Sequence, residues 1–142
     1  PKGILFHTDA AQSIGKTPVD VRSLGVDMLS LSAHKAYGPK GIGALYLRQQ
    51  PRIHLEPVLY GGGHEKGLRA GTLPAHLIVA MAEAFQIAQA EFETESTRIR
   101  DLRDRLWKVL SQLEGVHPHG DMKNRVANNL NLGFDYIEGE SL

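Results

Sequence analysis

Residues 29–43 read Leu-Ser-Leu-Ser-Ala-His-Lys-Ala-Tyr-Gly-Pro-Lys-Gly-Ile-Gly. The two leucines alternate with serines as in a half-buried strand, which we predict over residues 27–32. Glycines and a proline follow, so the backbone turns sharply and can pass close to a bound group. We therefore expect Ser32, His34 and Lys35 to stand at the carboxyl end of a strand, beside a loop built around a ligand.

The residues before this stretch predict a parallel partner strand. Residues 3–9 form a short apolar run that ends on the carboxylate of Asp9, as buried parallel strands do. One or two helical turns over residues 19–24, ended by Gly25, fit between the two strands. Because roughly 20 residues is enough for a βαβ crossover, the strands should be parallel, with Asp9 and Lys35 at the same edge. Open α/β sheets bind ligands at that edge.

The residues after this stretch predict a third strand, a loop and a long helix. We place the strand over residues 43–47, followed by an extended segment over residues 52–59. Residues 61–72 contain five glycines and several charged side chains, which indicates a loop held against a polar contact surface. Residues 76–113 carry apolar side chains at every third or fourth position, which predicts a helix about 50 Å long if it is continuous.

A polar segment, residues 91–97, interrupts the apolar face of this helix, so we predict a domain boundary near Phe92. Residues 1–92 would form part of a larger domain, and residues 93–142 the start of a smaller α+β domain. The predicted fold class is α/β, and we expect the sequence to be part of a longer protein. The remaining predicted elements are strands over residues 115–118 and 129–134 and a helix start over residues 138–142.

The composition narrows the possible functions. Sixteen basic and sixteen acidic residues leave no net charge, so nothing indicates nucleic-acid binding or a basic membrane face. No apolar run approaches the roughly 20 residues of a membrane span, and we expect a cytoplasmic protein. The absence of cysteine excludes a disulfide scaffold and a cysteine-based metal site within these 142 residues.

A phosphate-binding P-loop is one interpretation of the polar residues. Residues 15–17 read Gly-Lys-Thr and follow a predicted strand, but position 10 is alanine where the motif requires glycine. Pro18 follows directly and the next predicted helix is short. These departures disfavour a P-loop.

A metal site is the second interpretation. His7 with Asp9, and His117 with His119, are the closest pairs, and residues two apart share one face of a strand. The sequence supplies neither pair with a third ligand, so scattered polar histidines are the simpler interpretation.

A pyridoxal phosphate (PLP) site is the third interpretation, and it needs four functions at the carboxyl edge of a sheet. A lysine binds the aldehyde, a carboxylate keeps the pyridine nitrogen protonated, donors hold the phosphate, and a hydrogen bond meets the phenolic oxygen. Each candidate residue alone is weak evidence, but their spacing forms a specific constellation. The candidates are Asp9, Gln12, Ser32, His34 and Lys35.

The chain resembles the cysteine desulfurases of the class V aminotransferase group, which are fold type I PLP enzymes that build iron–sulfur clusters. The resemblance covers essentially the whole chain, with one difference at Ala33, where many relatives have glycine. Its signatures are Asp-Ala-Ala-Gln at residues 9–12, the lysine-containing turn at residues 31–43, and Gly-Gly-Gly-His-Glu-Lys-Gly-Leu-Arg-Ala-Gly-Thr at residues 61–72.

The resemblance implies a role for each candidate residue. Lys35 is the Schiff-base lysine, Asp9 pairs with the pyridine nitrogen, and Gln12 meets the phenolic oxygen. The phosphate is held by Ser32 and His34.

The resemblance also implies a homodimer, because Thr72 would reach the phosphate bound to the neighbouring subunit. By the same likeness, residues 1–92 are the C-terminal part of a PLP-binding large domain, and residues 93–142 begin the small C-terminal domain. The implied enzyme converts L-cysteine to L-alanine and passes persulfide sulfur to a scaffold protein.

One departure from the family pattern concerns the nucleophilic cysteine, which in relatives lies beyond the position matching Leu142. We therefore expect the isolated 142 residues to lack desulfurase activity. Because the residue that stacks on the PLP ring lies before Pro1 in relatives, we also expect them to lack tight PLP binding. Two alternatives stay open, namely another class V reaction, such as selenocysteine lyase or aminotransferase chemistry, and a non-catalytic dimerisation or partner-binding fragment.

Overall fold

The computed structural model describes residues 3–141, which form two compact units divided between Ala88 and Gln89. This division falls four residues before the predicted boundary at Phe92. The first unit contains strands β1 (His7–Asp9), β2 (Met28–Ser32) and β3 (Gly43–Leu47). It also contains helix α1 (Val21–Leu24), most of helix α2 (Ala75–Ala90), and 3-10 turns at Ala33–Ala36 and His64–Gly67. The last two residues of α2 belong to the second unit. The second unit contains α3 (Phe92–Leu110), β4 (Val116–Pro118), β5 (Leu132–Phe134) and a 3-10 turn at Gly139–Ser141.

The sheet of the first unit has the strand order β1-β2-β3. β1 and β2 are parallel, with Asp9 opposite Ser30, whereas β2 and β3 are antiparallel, with Ser32 opposite Gly43. The predicted parallel pair and the predicted third strand are therefore confirmed, as is the α/β class. Because β1 and β2 run in the same direction, their carboxyl ends meet at one edge.

The core of this unit is small and lies beneath β2. Leu29 is 2% exposed and packs with Ala10 and Val26, as expected for the apolar face of the predicted strand. The prediction that residues 3–9 form a buried strand is wrong in part. Only the last three of them pair as β1, whose one partner among residues 3–141 is β2, and Ile4 is 79% exposed.

Asp27 connects all three strands where β2 begins. Its Oδ2 accepts a hydrogen bond from the Phe6 backbone N–H at 2.7 Å, and its Oδ1 forms an ion pair with Arg48 Nη1 at 2.6 Å, although without a well-directed hydrogen bond. The Asp27 backbone N–H donates to the Phe6 carbonyl, and the Asp27 carbonyl accepts from the Arg48 N–H. Asp27 is only 5% exposed, so its charge depends on Arg48 for compensation.

Helix α1 is short because both of its ends are fixed by local chemistry. The Asp20 side chain caps the first turn by accepting a hydrogen bond from the Arg22 N–H, and this bond is the main reason that the pKa of Asp20 is lowered. Gly25 ends the helix at φ 63°, the left-handed conformation that favours glycine. The predicted helical turns before Gly25 are confirmed.

The helical pattern predicted over residues 76–113 forms two helices and not one continuous helix. Helix α2 ends at Ala90 and α3 begins at Phe92, with Glu91 at φ −92° and ψ −4° between them. Because the ψ of Glu91 departs from the helical value, the helix is interrupted there. The interruption lies within the polar segment that was predicted as the domain boundary. No helix among residues 3–141 is both long and apolar enough to cross a membrane.

In the second unit, β4 and β5 pair antiparallel, with Val116 opposite Phe134, which confirms the two predicted strands. The predicted helix start at residues 138–142 is a single 3-10 turn, Gly139–Ser141, and Leu142 lies outside the described residues.

We predict that Asp27→Asn lowers the free energy of unfolding of the full-length protein by roughly 3 kcal/mol, because an amide leaves Arg48 without a counter-charge. This value is at the low end for a buried ion pair because the Arg48 side chain is 35% exposed. Urea unfolding followed by circular dichroism measures the change. As a control, Glu95→Gln removes the acid of an exposed ion pair on α3 and should unfold like the wild type. Equal stability of Asp27→Asn and wild type would contradict the prediction.

Candidate active site

The predicted site residues of the two parallel strands do stand at one edge of the sheet. Asp9 is the last residue of β1 and Ser32 the last residue of β2. The Ala10 N–H donates to the Ser30 carbonyl at 2.8 Å, so pairing of the two strands continues one residue beyond Asp9. The edge thus carries a carboxylate from β1 beside the hydroxyl of Ser32 and the turn that follows it.

Lys35 lies in the 3-10 turn Ala33–Ala36, and the geometry of this turn explains its exposure. Three residues per turn place Ala33 and Ala36 on the same side, where both are buried. His34 and Lys35 consequently face outward. Tyr37 ends the turn at φ 62°, an uncommon conformation for a residue other than glycine.

Ser32 and His34 form a pair, with 2.8 Å between Ser32 Oγ and His34 Nδ1. If the Ser32 hydroxyl donates, His34 keeps Nε2–H as a free donor, and if Nδ1–H donates, the Ser32 hydroxyl keeps its own proton. The pair therefore retains at least one donor for an anion in either tautomer.

The chain segment after β1 folds back as a turn that fixes the Asp9 carboxylate. Asp9 Oδ1 accepts a hydrogen bond from the Ala11 N–H at 2.9 Å, as in an Asx-turn. Among residues 3–141 no partner is described for Oδ2, so this oxygen is available to a ligand.

Gln12 lies in the same turn, and its side chain has a partner that the sequence did not predict. Lys16 Nζ donates to Gln12 Oε1 at 2.9 Å. Burial, followed by the positive charge of Lys35, lowers the pKa of Lys16. The positive charge of Lys35 thus acts on Lys16, and positive charge at this edge favours anionic ligands.

Thr72 is not joined to the other predicted site residues by any contact described within residues 3–141. It is exposed at the end of the glycine-rich loop. The base of that loop is closed by pairing of Leu59 with Arg69, and the Ala70 N–H donates to the Leu59 carbonyl at 3.2 Å. Between these ends the loop is exposed, and Glu65 and Lys66 both adopt positive φ.

The structure adds to the case against the P-loop interpretation. Residues 11–16 form hydrogen-bonded turns, and the next helix, α1, begins only at Val21, so no helix N-terminus follows Lys16 directly. Lys16 points its ammonium group to Gln12 instead of a phosphate cradle.

The histidine pairs were considered above as metal ligands. The rings of His117 and His119 meet edge to face at 5.0 Å, and His117 Nδ1 lies 3.6 Å from Asp135 Oδ1. Across the described range, no group of three His, Asp or Glu side chains is arranged to hold a metal ion.

Comparison with known proteins agrees with this geometry. The family described as Aminotransferase class-V matches residues 1–142. The chain belongs to the class V aminotransferase family. This confirms the group membership that the sequence signatures predicted.

Several members of this family are similar to the chain. A protein named Cysteine desulfurase IscS from Methylobacillus flagellatus is 56% identical over 99% of the chain, which spans 35% of that protein. A solved structure described as a NifS-like protein has a TM-score of 0.89 and 39% identity over 98% of the chain and 37% of its own length. Another, described as SspA in complex with cysteine, has 57% identity and a TM-score of 0.56 over 58% of the chain and 24% of its own. The chain spans about a third of the length of the curated relatives it matches.

Three residues important for the site were missed by the sequence reasoning. Asp27 and Arg48 anchor the strands, and Lys16 was considered only as part of a P-loop. Asp27 could have been noticed in the sequence, because it is a charged residue at the start of an apolar strand. No sequence signal indicates that Lys16 contacts Gln12, because that contact depends on how the turn folds.

We predict that Gly38→Ala displaces the turn that carries Lys35. A Cβ at Gly38 would lie 2.9 Å from both the Ala33 Cβ and the Ala33 carbonyl oxygen, and the latter belongs to rigid backbone. We expect a loss of roughly 1–3 kcal/mol in the free energy of unfolding, measured by urea unfolding of the full-length protein. Gly139→Ala is the control, because nothing lies within 4 Å of a Cβ there. If Gly38→Ala were as stable as Gly139→Ala, the close packing of the turn would be refuted.

Proposed function

We propose that this chain forms the cofactor-binding edge of a PLP-dependent cysteine desulfurase. The observation that carries the proposal is the placement of Asp9 and the Ser32–Lys35 segment at the adjoining carboxyl ends of two parallel strands. The 56% identity to a protein named cysteine desulfurase supports the choice of reaction within the family. Residues 1–92 would be part of its PLP-binding large domain, and residues 93–142 the start of its small domain.

The donor set fits PLP on three grounds. Asp9 keeps one carboxylate oxygen available while Ala11 fixes the other, which suits a partner for a protonated pyridine nitrogen. The Ser32–His34 pair retains a donor for a phosphate in either tautomer. Lys35 is exposed beside them on a turn anchored by buried alanines.

PLP, when bound, withdraws electrons from the bonds at the substrate Cα. The negative charge of Asp9 would keep the pyridine nitrogen protonated, which strengthens this withdrawal. Gln12 would donate a hydrogen bond to the phenolic oxygen. Lys35 would hold the aldehyde carbon in the resting enzyme and then act as the base and acid that moves the Cα proton of the substrate.

The proposed reaction converts L-cysteine to L-alanine and sulfane sulfur. The thiol that accepts the sulfur has to come from outside these 142 residues, because they contain no cysteine. We propose that the outer sulfur of the resulting persulfide is passed to a scaffold protein for iron–sulfur cluster assembly in the cytoplasm, which regenerates the thiol.

The proposed enzyme is a homodimer in which Thr72 contributes to the partner's site. Two observations support this role. Thr72 is exposed, and no contact described among residues 3–141 joins it to Lys35 in the same chain. A hydroxyl at the end of a loop closed at its base is suited to reach the phosphate bound to a second copy.

We predict that Lys35→Ala in the full-length protein abolishes the visible absorbance of lysine-bound PLP, because the amine that holds the aldehyde is removed. Borohydride treatment followed by peptide mass spectrometry shows whether a lysine becomes covalently labelled. Lys40→Ala is the matched control, since it removes an exposed lysine five residues away and should keep the absorbance. Labelling of a lysine in the Lys35→Ala protein would disprove the assignment.

We predict that Asp9→Asn leaves PLP bound but slows alanine formation by about 100-fold or more, because a neutral amide does not stabilise the protonated ring nitrogen. Steady-state assays with L-cysteine at saturating PLP measure the rate. Asp20→Asn, which alters the exposed cap of α1, should react at the wild-type rate. Wild-type turnover by Asp9→Asn would rule out the proposed charge interaction.

A further inference from the structure

The turn between β1 and α1 contains a lysine whose position the proposed reaction does not yet explain. The Ser13 and Ile14 N–H groups donate to the Ala10 carbonyl, and the Lys16 N–H donates to the Ser13 carbonyl at 3.0 Å. These bonds wind the turn like a helix, so residues four apart, Gln12 and Lys16, share one side.

Close packing holds this turn in place. Gly15 has φ +71°, and a Cβ built there would lie 2.9 Å from the Cβ of Ala88 on α2 and 3.8 Å from the Cβ of Ala36. Ala36 belongs to the 3-10 turn that also carries Lys35. Gly15 thus permits the segment that carries Lys16 to pack directly against the segment that carries Lys35.

The contact between Lys16 and Gln12 has only one chemical interpretation. An ammonium group has donors and no acceptor, so the atom 2.9 Å from Lys16 Nζ must be the carbonyl oxygen of the Gln12 amide. This removes the usual ambiguity in the orientation of a glutamine side chain. With its oxygen engaged, Gln12 has its Nε2 hydrogens left to donate elsewhere.

We propose that Lys16 is a positioning residue that orients the Gln12 amide so that its nitrogen donates to the phenolic oxygen of PLP. The inference rests on the proposed function and adds a residue to it. Without Lys16 the Gln12 amide could rotate and turn its oxygen toward the phenolic oxygen of PLP. The two oxygens would repel each other, because the phenolic oxygen carries negative charge. The positive charge of Lys16 also polarises the amide and strengthens its N–H donors.

The test is a pH titration of the visible absorbance of PLP bound to the full-length protein. Loss of a donor to the phenolic oxygen makes the cofactor more basic, so we expect Lys16→Met to raise the apparent pKa of the absorbance change by roughly 1 unit. Lys16→Arg keeps both the donor and the charge and should titrate close to the wild type. Lys40→Met removes one positive charge from the loop after Lys35 and is the matched control, with no shift expected.

A double-mutant cycle distinguishes action through Gln12 from a direct effect of charge. Gln12→Leu alone should also raise the apparent pKa, and Lys16→Met should add little to it, because the lysine then has no amide to orient. Additive shifts, or no shift in Lys16→Met, would overturn the positioning role while leaving the PLP assignment intact. If the wild type forms no borohydride-trappable bond with PLP, both the proposed function and this inference fail.

Discussion

The ion pair between Asp27 and Arg48 is the constraint on which the three-stranded sheet depends. A buried carboxylate, 5% exposed, needs an opposite charge and hydrogen bonds, and here these come from the residue after β3 and from the residue before β1. Asp27 therefore fixes three strands at the amino end of β2. The candidate active site lies at the carboxyl end of β2, so the length of β2 separates it from the ion pair of Asp27 with Arg48.

This separation has a consequence for the chemistry of the edge. Because the strands are held at their far end and paired along their length, Asp9 and Ser32 are set in register without needing contacts to each other. Their side chains keep polar groups available for a ligand. The small buried residues Ala33 and Ala36 extend this rigidity into the turn that carries Lys35. The methyl group of Ala33 is accommodated because position 38 is glycine, where a Cβ would lie 2.9 Å from it.

Positive charge is concentrated where the strand edge meets the turn after β1. Burial and then the charge of Lys35 lower the pKa of Lys16, although the chain as a whole has no net charge. This positive charge favours anionic ligands, and the amide oxygen of Gln12 accepts a hydrogen bond from Lys16. The arrangement suits a ligand that carries both a phosphate and a phenolic oxygen.

The sequence by itself determined that the five strands exist, the parallel pairing of β1 with β2, the class V resemblance and the set of candidate residues, although β1 and β5 are shorter than predicted. These follow from local patterns of a few residues each. The patterns are the alternation of apolar and polar residues in strands, glycines that end helices, and polar residues at strand ends. Strand β3 was predicted with its observed bounds, residues 43–47, because glycine and an apolar run delimit it.

Only the tertiary structure decided which side chains meet. The ion pair of Asp27 with Arg48, the hydrogen bond of Lys16 with Gln12 and the exposure of Ile4 all depend on neighbours that local patterns do not specify. The sequence predicted a boundary within the polar segment 91–97, but only the structure places the end of α2 at Ala90, where the ψ of Glu91 departs from the helical value. Such features arise when distant segments pack and compete for the same hydrogen bonds and space.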